Sequence, residues 1–362
     1  MNLRTHAFTS AIALLATFAA ADTMAEPYLA VRSGLKCSAC HVSPTGGGMR
    51  DSFGARYAHT QLTANLLGLE EVNPAELTAL TPRLSVGADL RASASARRLD
   101  SLDNDFQFER ERVSAYVHVA LVPGRVELYL DQKLAPGSAE SRESWALFRP
   151  LGGSFYVRAG RFFLPYGWRL EDDTAFIRQA TGINFTTSDD GVEVGAGPGK
   201  WAFNLAVTNG NGGGPEEGNG KQYSLRVEHV QSRWRLGASA NLNDAFGPNR
   251  RMMNVFAGIK TGPVGWLVEF DRVDDAGVAE QNLLLAEGNW EIAKGHNLKY
   301  TFEFRDPDVD RGDDRFVRHS VVWEFMPVPF TQLRLGLRQR DGNEPGPLKD
   351  STVGFLQLHL FL

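Results

Sequence analysis

The stretch HNLKYTFEFR, which covers residues 296–305, decides the fold. Its apolar and aromatic members, Leu298, Tyr300, Phe302 and Phe304, are separated from one another by single polar or charged residues. A period of two residues is typical of a β-strand, because successive side chains point to opposite faces of a sheet. One face of this strand is therefore apolar, and the other carries charges of both signs.

The same alternation recurs through the chain, for example over residues 113–121 and 333–338. A water-soluble sandwich would turn the apolar faces of such strands inward. A transmembrane barrel would do the reverse, with lipid outside and a polar lumen. The alternation alone leaves both architectures open.

The connections between strands separate the two architectures. From Arg83 onward the pattern gives sixteen candidate strands: 83–97, 106–122, 125–135, 142–149, 154–164, 190–196, 200–208, 222–231, 234–243, 252–261, 264–271, 281–293, 296–305, 315–326, 330–340 and 350–362. Along the chain, tight connections such as Pro123-Gly124 and Lys294-Gly295 alternate with longer polar connections. Short periplasmic turns, long external loops and an even strand count are typical of outer-membrane barrels. We therefore expect an all-β, antiparallel, sixteen-stranded transmembrane barrel over residues 82–362, in the bacterial outer membrane.

The longest connection, residues 166–189, carries Trp168, Phe176, Ile177 and Phe185, which would be unusual on a solvated loop. It is expected either to fold into the lumen or to pack as an external lid.

Other external loops are acidic. Their carboxylates include the pairs Asp172-Asp173, Glu216-Glu217 and Asp274-Asp275 and the series Asp306, Asp308 and Asp310. The spacing of that series could offer oxygen ligands to a divalent ion. The alternative is a solvated acidic rim that attracts cations weakly.

The N-terminus predicts export. Arg4 precedes an apolar run from Phe8 to Ala21, and small residues follow, with cleavage after Ala25 or Ala21. The run is too short to span a membrane. We therefore interpret residues 1–25 as a signal peptide. The remaining composition, with 43% hydrophobic residues and a net charge of −5, excludes a disordered chain and a nucleic-acid binder.

A second motif lies close behind the signal peptide. The sequence Cys37-Ser38-Ala39-Cys40-His41 is a C-x-x-C-H motif, which is typical of covalent c-type haem attachment. Two thiols at this spacing can each form a thioether to the porphyrin, and the adjacent imidazole can bind the iron. A redox dithiol or a lone disulfide is the alternative. A zinc site would need two further soft ligands.

Residues 26–81 form the predicted haem segment. Residues 46–48 predict a flexible glycine turn, residues 51–67 one helix, and residues 74–80 a short second helix. The segment offers little apolar surface to cover a haem, so we expect it to use the barrel wall and to lie in or under the lumen. Met49 and His59 are the candidate second axial ligands, and an open or foreign sixth position is the third option.

The whole arrangement resembles the fused outer-membrane monohaem cytochrome–porins, which include bacterial iron oxidases. The resemblance rests on a signal peptide, one C-x-x-C-H motif, the stretch Phe53-Gly54-Ala55-Arg56-Tyr57 and a sixteen-stranded porin. It implies that Cys37, Cys40 and His41 hold one haem c. It also implies that electrons pass from an extracellular donor, notably ferrous iron, to a periplasmic c-type cytochrome. Residues 160–167 are similar to a strand-to-loop signature of phosphate-selective porins.

Two functions follow from these patterns. The first is an electron conduit through the outer membrane, in effect an Fe(II):cytochrome c oxidoreductase if iron is the donor. The second is a diffusion porin whose haem segment is a plug or gate, with charged lumen residues setting selectivity. A haem contributes nothing to diffusion, so we favour the conduit.

The motif makes the first testable prediction. Replacing Cys37 and Cys40 by alanine should remove covalent haem and leave barrel insertion unchanged, because the strands do not depend on the haem. Haem staining of a denaturing gel measures the first effect and heat-modifiable mobility the second. Equal staining of the wild type and the double variant would refute the attachment.

Overall fold

The computed structural model describes the following residues of the chain: 26–69, 72–99, 105–150, 153–170, 172, 174–183, 188–214, 218–245, 249–275, 277–342 and 350–362. The predicted signal peptide therefore lies outside the described residues, as do Asp173, Phe185 and the pair Glu216-Glu217.

The described chain is dominated by one closed sheet. A short strand β1 (Ala79–Thr81) is followed by sixteen barrel strands: β2 (Leu84–Leu99), β3 (Asp105–Val122), β4 (Val126–Ala135), β5 (Glu140–Phe148), β6 (Phe155–Phe162), β7 (Asp189–Ala196), β8 (Trp201–Thr208), β9 (Gln222–Val230), β10 (Trp234–Asn243), β11 (Arg250–Thr261), β12 (Val264–Asp275), β13 (Ala279–Ala293), β14 (His296–Asp306), β15 (Phe316–Phe325), β16 (Thr331–Gly342) and β17 (Ser351–Phe361). Each barrel strand pairs antiparallel with the next along the chain.

The last strand closes the ring on the first. Strand β17 pairs with β2, with Leu356 opposite Ala94 and Phe361 opposite Asp89. Closure leaves no free sheet edge, which is the condition for strands to cross a bilayer. The expected sixteen-stranded antiparallel barrel is confirmed, and the sandwich alternative is excluded. The boundaries differ by a few residues, mainly because β12 and β13 extend further into their shared loop than the pattern indicated.

Side chains divide between wall and lumen as the alternation requires. On β14, Lys299, Thr301 and Glu303 are buried inside, whereas Tyr300 is 47% exposed on the outer wall. The outer wall also exposes apolar side chains of the other strands, such as Leu236, Val255, Trp266 and Leu335. A closed barrel with an apolar exterior lies in a membrane, and this architecture belongs to the bacterial outer membrane, so the predicted location is confirmed. Among the described helices, none is long and apolar enough to cross a bilayer.

Aromatic clusters mark the end of the barrel that carries the short turns. Trp201, His229 and Trp234 contact one another there, with ring centroids 4.6 and 5.3 Å apart. His296 stacks on Trp323 and Phe325 across the wall. Rings of this kind sit at membrane interfaces. We refer to this end as periplasmic, because outer-membrane barrels place their short turns on that side.

The N-terminal segment lies inside the periplasmic half of the lumen. Helix α1 (Pro27–Ser33) contacts β11 and β12 from within. Helix α2 (Ser52–Tyr57) begins at Asp51, whose carboxylate accepts a 2.8 Å bond from the Gly54 amide, and it runs into a π-helical turn (Ala58–Leu62). Helix α3 (Pro74–Thr78) is the predicted second helix. The first helix ends at residue 62 and not at 67 as expected, because the chain leaves it to bond the turn at Met326 and Pro327.

The longest loop folds into the lumen, as one of the two expectations had it. Trp168, Phe176 and Ile177 are each at most 3% exposed. The loop contains helix α4 (Phe176–Thr181), which contacts β12, β13 and β14 from inside. Trp168 donates from its amide to Glu269 (2.6 Å), and the amide of Phe176 donates to Glu303 (2.8 Å). Inward polar residues of the wall therefore hold the loop.

The strand order can be checked by labelling intact cells. Tags inserted at Gly277 and Gly312 should react from outside, and tags at Gly124 and Gly199 should not, because the two sets lie in loops at opposite ends. A Cβ at any of these four glycines would meet nothing within 4 Å, so insertion there should be tolerated. Mixed labelling would contradict the strand count, since one missed strand inverts all later loops.

Candidate functional site

The C-x-x-C-H motif forms one tight turn inside the lumen. Residues Cys37–Ala39 are a 3₁₀ turn, and the carbonyl of Cys37 accepts bonds from the amides of Cys40 and His41, both at 3.1 Å. Helix α2 packs closely on this turn, because a Cβ at Gly54 would lie 2.1 Å from the carbonyl oxygen of Cys40. The turn therefore holds both thiols and the imidazole in one place.

These three side chains line a common cavity with an empty volume of about 930 Å³, part of it open to solvent. Residues 26–62 of the N-terminal segment form one side, and residues 164–169 of the inward loop form another. Apolar lining comes from Leu29, Leu35, Leu62, Leu164 and Trp168. A mostly apolar lining with a few polar groups is typical of sites for small molecules and cofactors.

The glycine turn is buried, contrary to the expectation of a flexible one. Gly46, Gly47 and Gly48 all have positive φ. A Cβ on Gly47 would lie 2.7 Å from the Arg169 guanidinium, and one on Gly48 would lie 2.4 Å from the Tyr129 hydroxyl. The stretch is glycine-rich because it must curve in the left-handed region while wedged against the wall and the inward loop.

The two thiols are not bonded to each other, and neither cysteine is in a disulfide. Burial raises the pKa of the Cys40 thiol to about 11, and the negative charge of Asp51 adds to the effect. Metal-binding cysteines are thiolates, so this environment does not favour a thiolate metal site. The described residues contain no cluster of three or more side chains suited to hold a metal ion.

Cationic side chains face the same cavity. Arg226 and Arg235 line it and share the carboxylate of Glu228, with distances of 3.3 and 2.9 Å. Arg235 is 2% exposed, and its Nη1 has no hydrogen-bond acceptor among the described residues. A buried guanidinium nitrogen without an acceptor favours an anionic group nearby. Sequence reasoning missed both arginines, because alternation placed them in the lumen but not beside Cys37.

The two candidate axial ligands lie outside this cavity. Met49 is 2% exposed, and its amide donates to the Tyr129 hydroxyl (2.9 Å). His59 is 6% exposed and lines a smaller cavity with Phe330 and Phe361 near the C-terminus. The structure therefore brings together Cys37, Cys40 and His41 and places neither Met49 nor His59 with them.

Comparison with known proteins gives the fold. No protein-family model matches the chain, and no curated protein matches it. Among solved structures, an anion-selective porin from Comamonas acidovorans superposes with a TM-score of 0.63 at 10% identity, over 77% of this chain and 99% of that porin. OprB of Pseudomonas putida gives 0.61 at 11% identity, over 84% and 99%. A loop-deleted OmpT of Vibrio cholerae gives 0.58 at 11% identity, over 77% and 99%. The fold is that of an outer-membrane porin.

Buried ion pairs fix the N-terminal segment inside this porin fold. The Glu26 carboxylate lies 2.9 Å from the Lys299 ammonium and 3.4 Å from the Arg334 guanidinium. Tyr28 donates to Glu324 at 2.8 Å. These groups are all at most 5% exposed. Breaking one partner of a buried pair costs about 3–5 kcal/mol, so the segment is anchored to the wall.

The acidic loops differ from the expected open rim. Asp172 is not on a rim but pairs inside the lumen with Arg338 (2.6 Å) and Arg318 (3.4 Å). Asp306 is buried and pairs with Arg315, and Asp308 pairs with Arg311. Only Asp310 of that series is exposed among the three. The resulting rim is largely neutralised by arginine, which disfavours a calcium-type site there.

The ion pairs of Asp172 make a prediction about the inward loop. The Arg338 and Arg318 guanidiniums hold the pKa of this carboxyl well below its ordinary value, although burial opposes them. A depressed pKa stabilises the charged state above the ordinary pKa and loses that stabilisation only as pH falls through the lowered one. The loop of the wild type should therefore stay in place down to pH values below about 4.

Asp172→Asn should loosen the loop at neutral pH, because it removes the charge that pairs with both the Arg338 and Arg318 guanidiniums. We expect larger and noisier single-channel currents in planar bilayers. Asp308→Asn, which removes an external ion pair, is the matched control and should behave like the wild type. Identical currents in all three proteins would show that these pairs do not hold the loop.

Proposed function

We propose that this porin-fold chain is an electron conduit, in which one haem c bound to Cys37 and Cys40 passes electrons between an extracellular donor and a periplasmic c-type cytochrome. One observation carries the proposal: both thiols and His41 line one largely apolar cavity inside the barrel. A disulfide or dithiol function would not require His41 beside the two thiols in that cavity.

The residues present fit a haem. The thiols would form the two thioethers and His41 would bind the iron, as the C-x-x-C-H spacing requires. The apolar wall would cover the macrocycle. Arg226 and Arg235 are suited to its carboxylates, since guanidinium groups bind carboxylates through paired hydrogen bonds. When bound, the haem would supply one-electron redox chemistry.

The electron balance is simple. An extracellular one-electron reductant loses one electron, and a ferric periplasmic cytochrome gains it and becomes ferrous. Ferrous iron fits the donor role through the family resemblance, and it would leave as ferric iron. The chain's own task is to keep the redox site inside an insulating membrane and to exclude bulk water from it.

The state of the lumen favours a conduit over solute passage. A sixteen-stranded barrel is wide enough to leave an aqueous channel. Here the N-terminal segment is held by Glu26 and Tyr28, and the inward loop by Glu269, Glu303 and Asp172, within that same lumen. Both anchors would have to break before a large solute could pass.

A diffusion porin whose haem-bearing segment acts as a plug is the second candidate. The likeness in fold to an anion-selective porin and to OprB favours it. Under this reading, release of the segment would open the lumen, and the haem would sense a redox signal.

Proteoliposomes separate the two candidates. Wild type with an encapsulated ferric cytochrome should reduce it when an impermeant reductant is added outside, and the Cys37→Ser/Cys40→Ser variant should not. Both proteins should show the same low sugar permeability in swelling assays, because the segment stays docked in each. The variant is thus a matched control for channel properties.

The opposite pattern would reject the conduit. If wild type admits sugars at porin rates and the internal cytochrome stays oxidised, the protein is a diffusion porin. If haem staining of the wild type is absent as well, the cofactor assignment also fails.

A further inference from the structure

The N-terminal segment presents apolar side chains to the periplasmic opening. Phe53 is 47% exposed, Leu66 is 65% and Leu67 is 70%. Helix α3, which contacts α2, adds Leu77 at 48%, and Leu80 on β1 is 59% exposed. Phe53, Leu66, Leu67 and Leu77 lie on the plugging segment, and Leu80 lies on β1, which pairs with the start of β2. We call these five residues the periplasmic patch. Exposed apolar groups gathered at one face are typical of a protein-binding site.

Positive side chains surround this opening. The tight turns contain no aspartate or glutamate, and most contain lysine or arginine. Arg56 on α2 is also exposed. The basic ring consists of these exposed residues: Arg56, Arg83, Arg125, Lys200, Arg233, Lys260 and Lys294.

The carboxylates near the ring do not cancel it. Glu291 pairs with Arg32, and Glu127 pairs with Arg149. Asp51 accepts from the Gly54 amide, leaving Glu76 as an exposed carboxylate on α3. Glu70 and Glu71 lie outside the described residues. An apolar centre with a charged rim of one sign is the arrangement of a recognition surface for an oppositely charged protein.

The patch adjoins the candidate haem cavity. Phe53 stacks on Tyr57 with ring centroids 6.3 Å apart, and Tyr57 lines the cavity with Cys40. Lys36 also lines the cavity, and its ammonium donates to the carbonyls of Gly197 (2.8 Å) and Trp201 (2.7 Å) in a periplasmic turn. At this face, therefore, the Phe53–Tyr57 pair lies between the cavity and the periplasm.

We propose that the periplasmic patch and the basic ring dock an acidic soluble electron carrier, with its redox centre over Phe53. The proposal rests on the proposed function, since it names the surface and the charge of the periplasmic partner. Charge complementarity selects an acidic protein over a basic one. Lipid headgroups could reach the turn residues of the ring, but Arg56 and Phe53 lie on α2, on the segment that plugs the barrel mouth, so a partner that contacts all of them is a soluble protein.

Binding can be measured without electron transfer. Wild type and the haem-free Cys37→Ser/Cys40→Ser variant would be placed in nanodiscs and titrated with an acidic and a basic soluble c-type cytochrome. At low salt we expect both barrels to bind the acidic cytochrome with an association rate constant about tenfold or more above that for the basic cytochrome. The difference should shrink near 1 M salt, where the Debye length is about 3 Å.

Matched variants locate the surface. Arg56→Glu/Arg233→Glu/Lys294→Glu should abolish the preference for the acidic cytochrome. Arg110→Glu/Arg251→Glu/Arg311→Glu makes the same charge change at exposed positions toward the external end and should leave it intact. Phe53→Ala should weaken binding, whereas Phe106→Ala, an exposed residue toward the external end, should not. Heat-modifiable mobility checks that each barrel is folded.

The outcomes separate this proposal from the proposed function. Equal effects of the two triple variants, or no salt-dependent binding of the acidic cytochrome, would overturn the docking surface even where haem staining and electron transfer succeed. The docking surface would also be overturned if the basic-ring variant lost only its binding of phosphatidylglycerol vesicles, or only its self-association, and kept its binding of the acidic cytochrome. Selective binding by the haem-free barrel supports the surface even where the conduit fails.

Discussion

A chain that crosses a bilayer as strands must pair every backbone amide and carbonyl with another strand, because lipid offers no hydrogen bonds. The pairing of β17 with β2 meets this requirement by leaving no free edge. Closure also fixes the consequences for side chains. Apolar residues face lipid, and the polar set of every strand is forced into one lumen, where its charges must find partners away from bulk water.

The lumen meets that demand with ion pairs that also hold the inserted segments. The Glu26 carboxylate forms ion pairs with Lys299 and Arg334, and the Asp172 carboxylate forms ion pairs with Arg318 and Arg338. Removing one partner would leave a buried charge uncompensated, so the wall and its contents stabilise each other. The N-terminal segment, which has little apolar surface of its own, thereby gains a cover from the wall.

Much of the fold could be predicted from the sequence, because closure converts a period of two into a nearly complete strand list. Alternation of the kind seen around Tyr300, counted over the whole chain together with tight turns such as Pro123-Gly124, was sufficient for strand count and sidedness. The second axial ligand could not be predicted in this way. Met49 and His59 are close to Cys40 along the chain, but their positions depend on how the segment meets Tyr129 and Phe330, contacts that span the whole barrel.

Local sequence patterns likewise could not predict which partners the charged residues contact. The sequence pattern predicts Asp172 on an external acidic rim, but its ion-pair partners lie more than one hundred residues away along the chain, on β15 and β16. Arg235 was not singled out by any sequence pattern, yet it lies beside the C-x-x-C-H motif, and its guanidinium donates to the carbonyl of Leu35 at 3.1 Å. Periodicity fixes which face a side chain takes; it does not fix which inserted segment will meet it. That second choice is made by tertiary contacts, and in this chain those contacts define the candidate site.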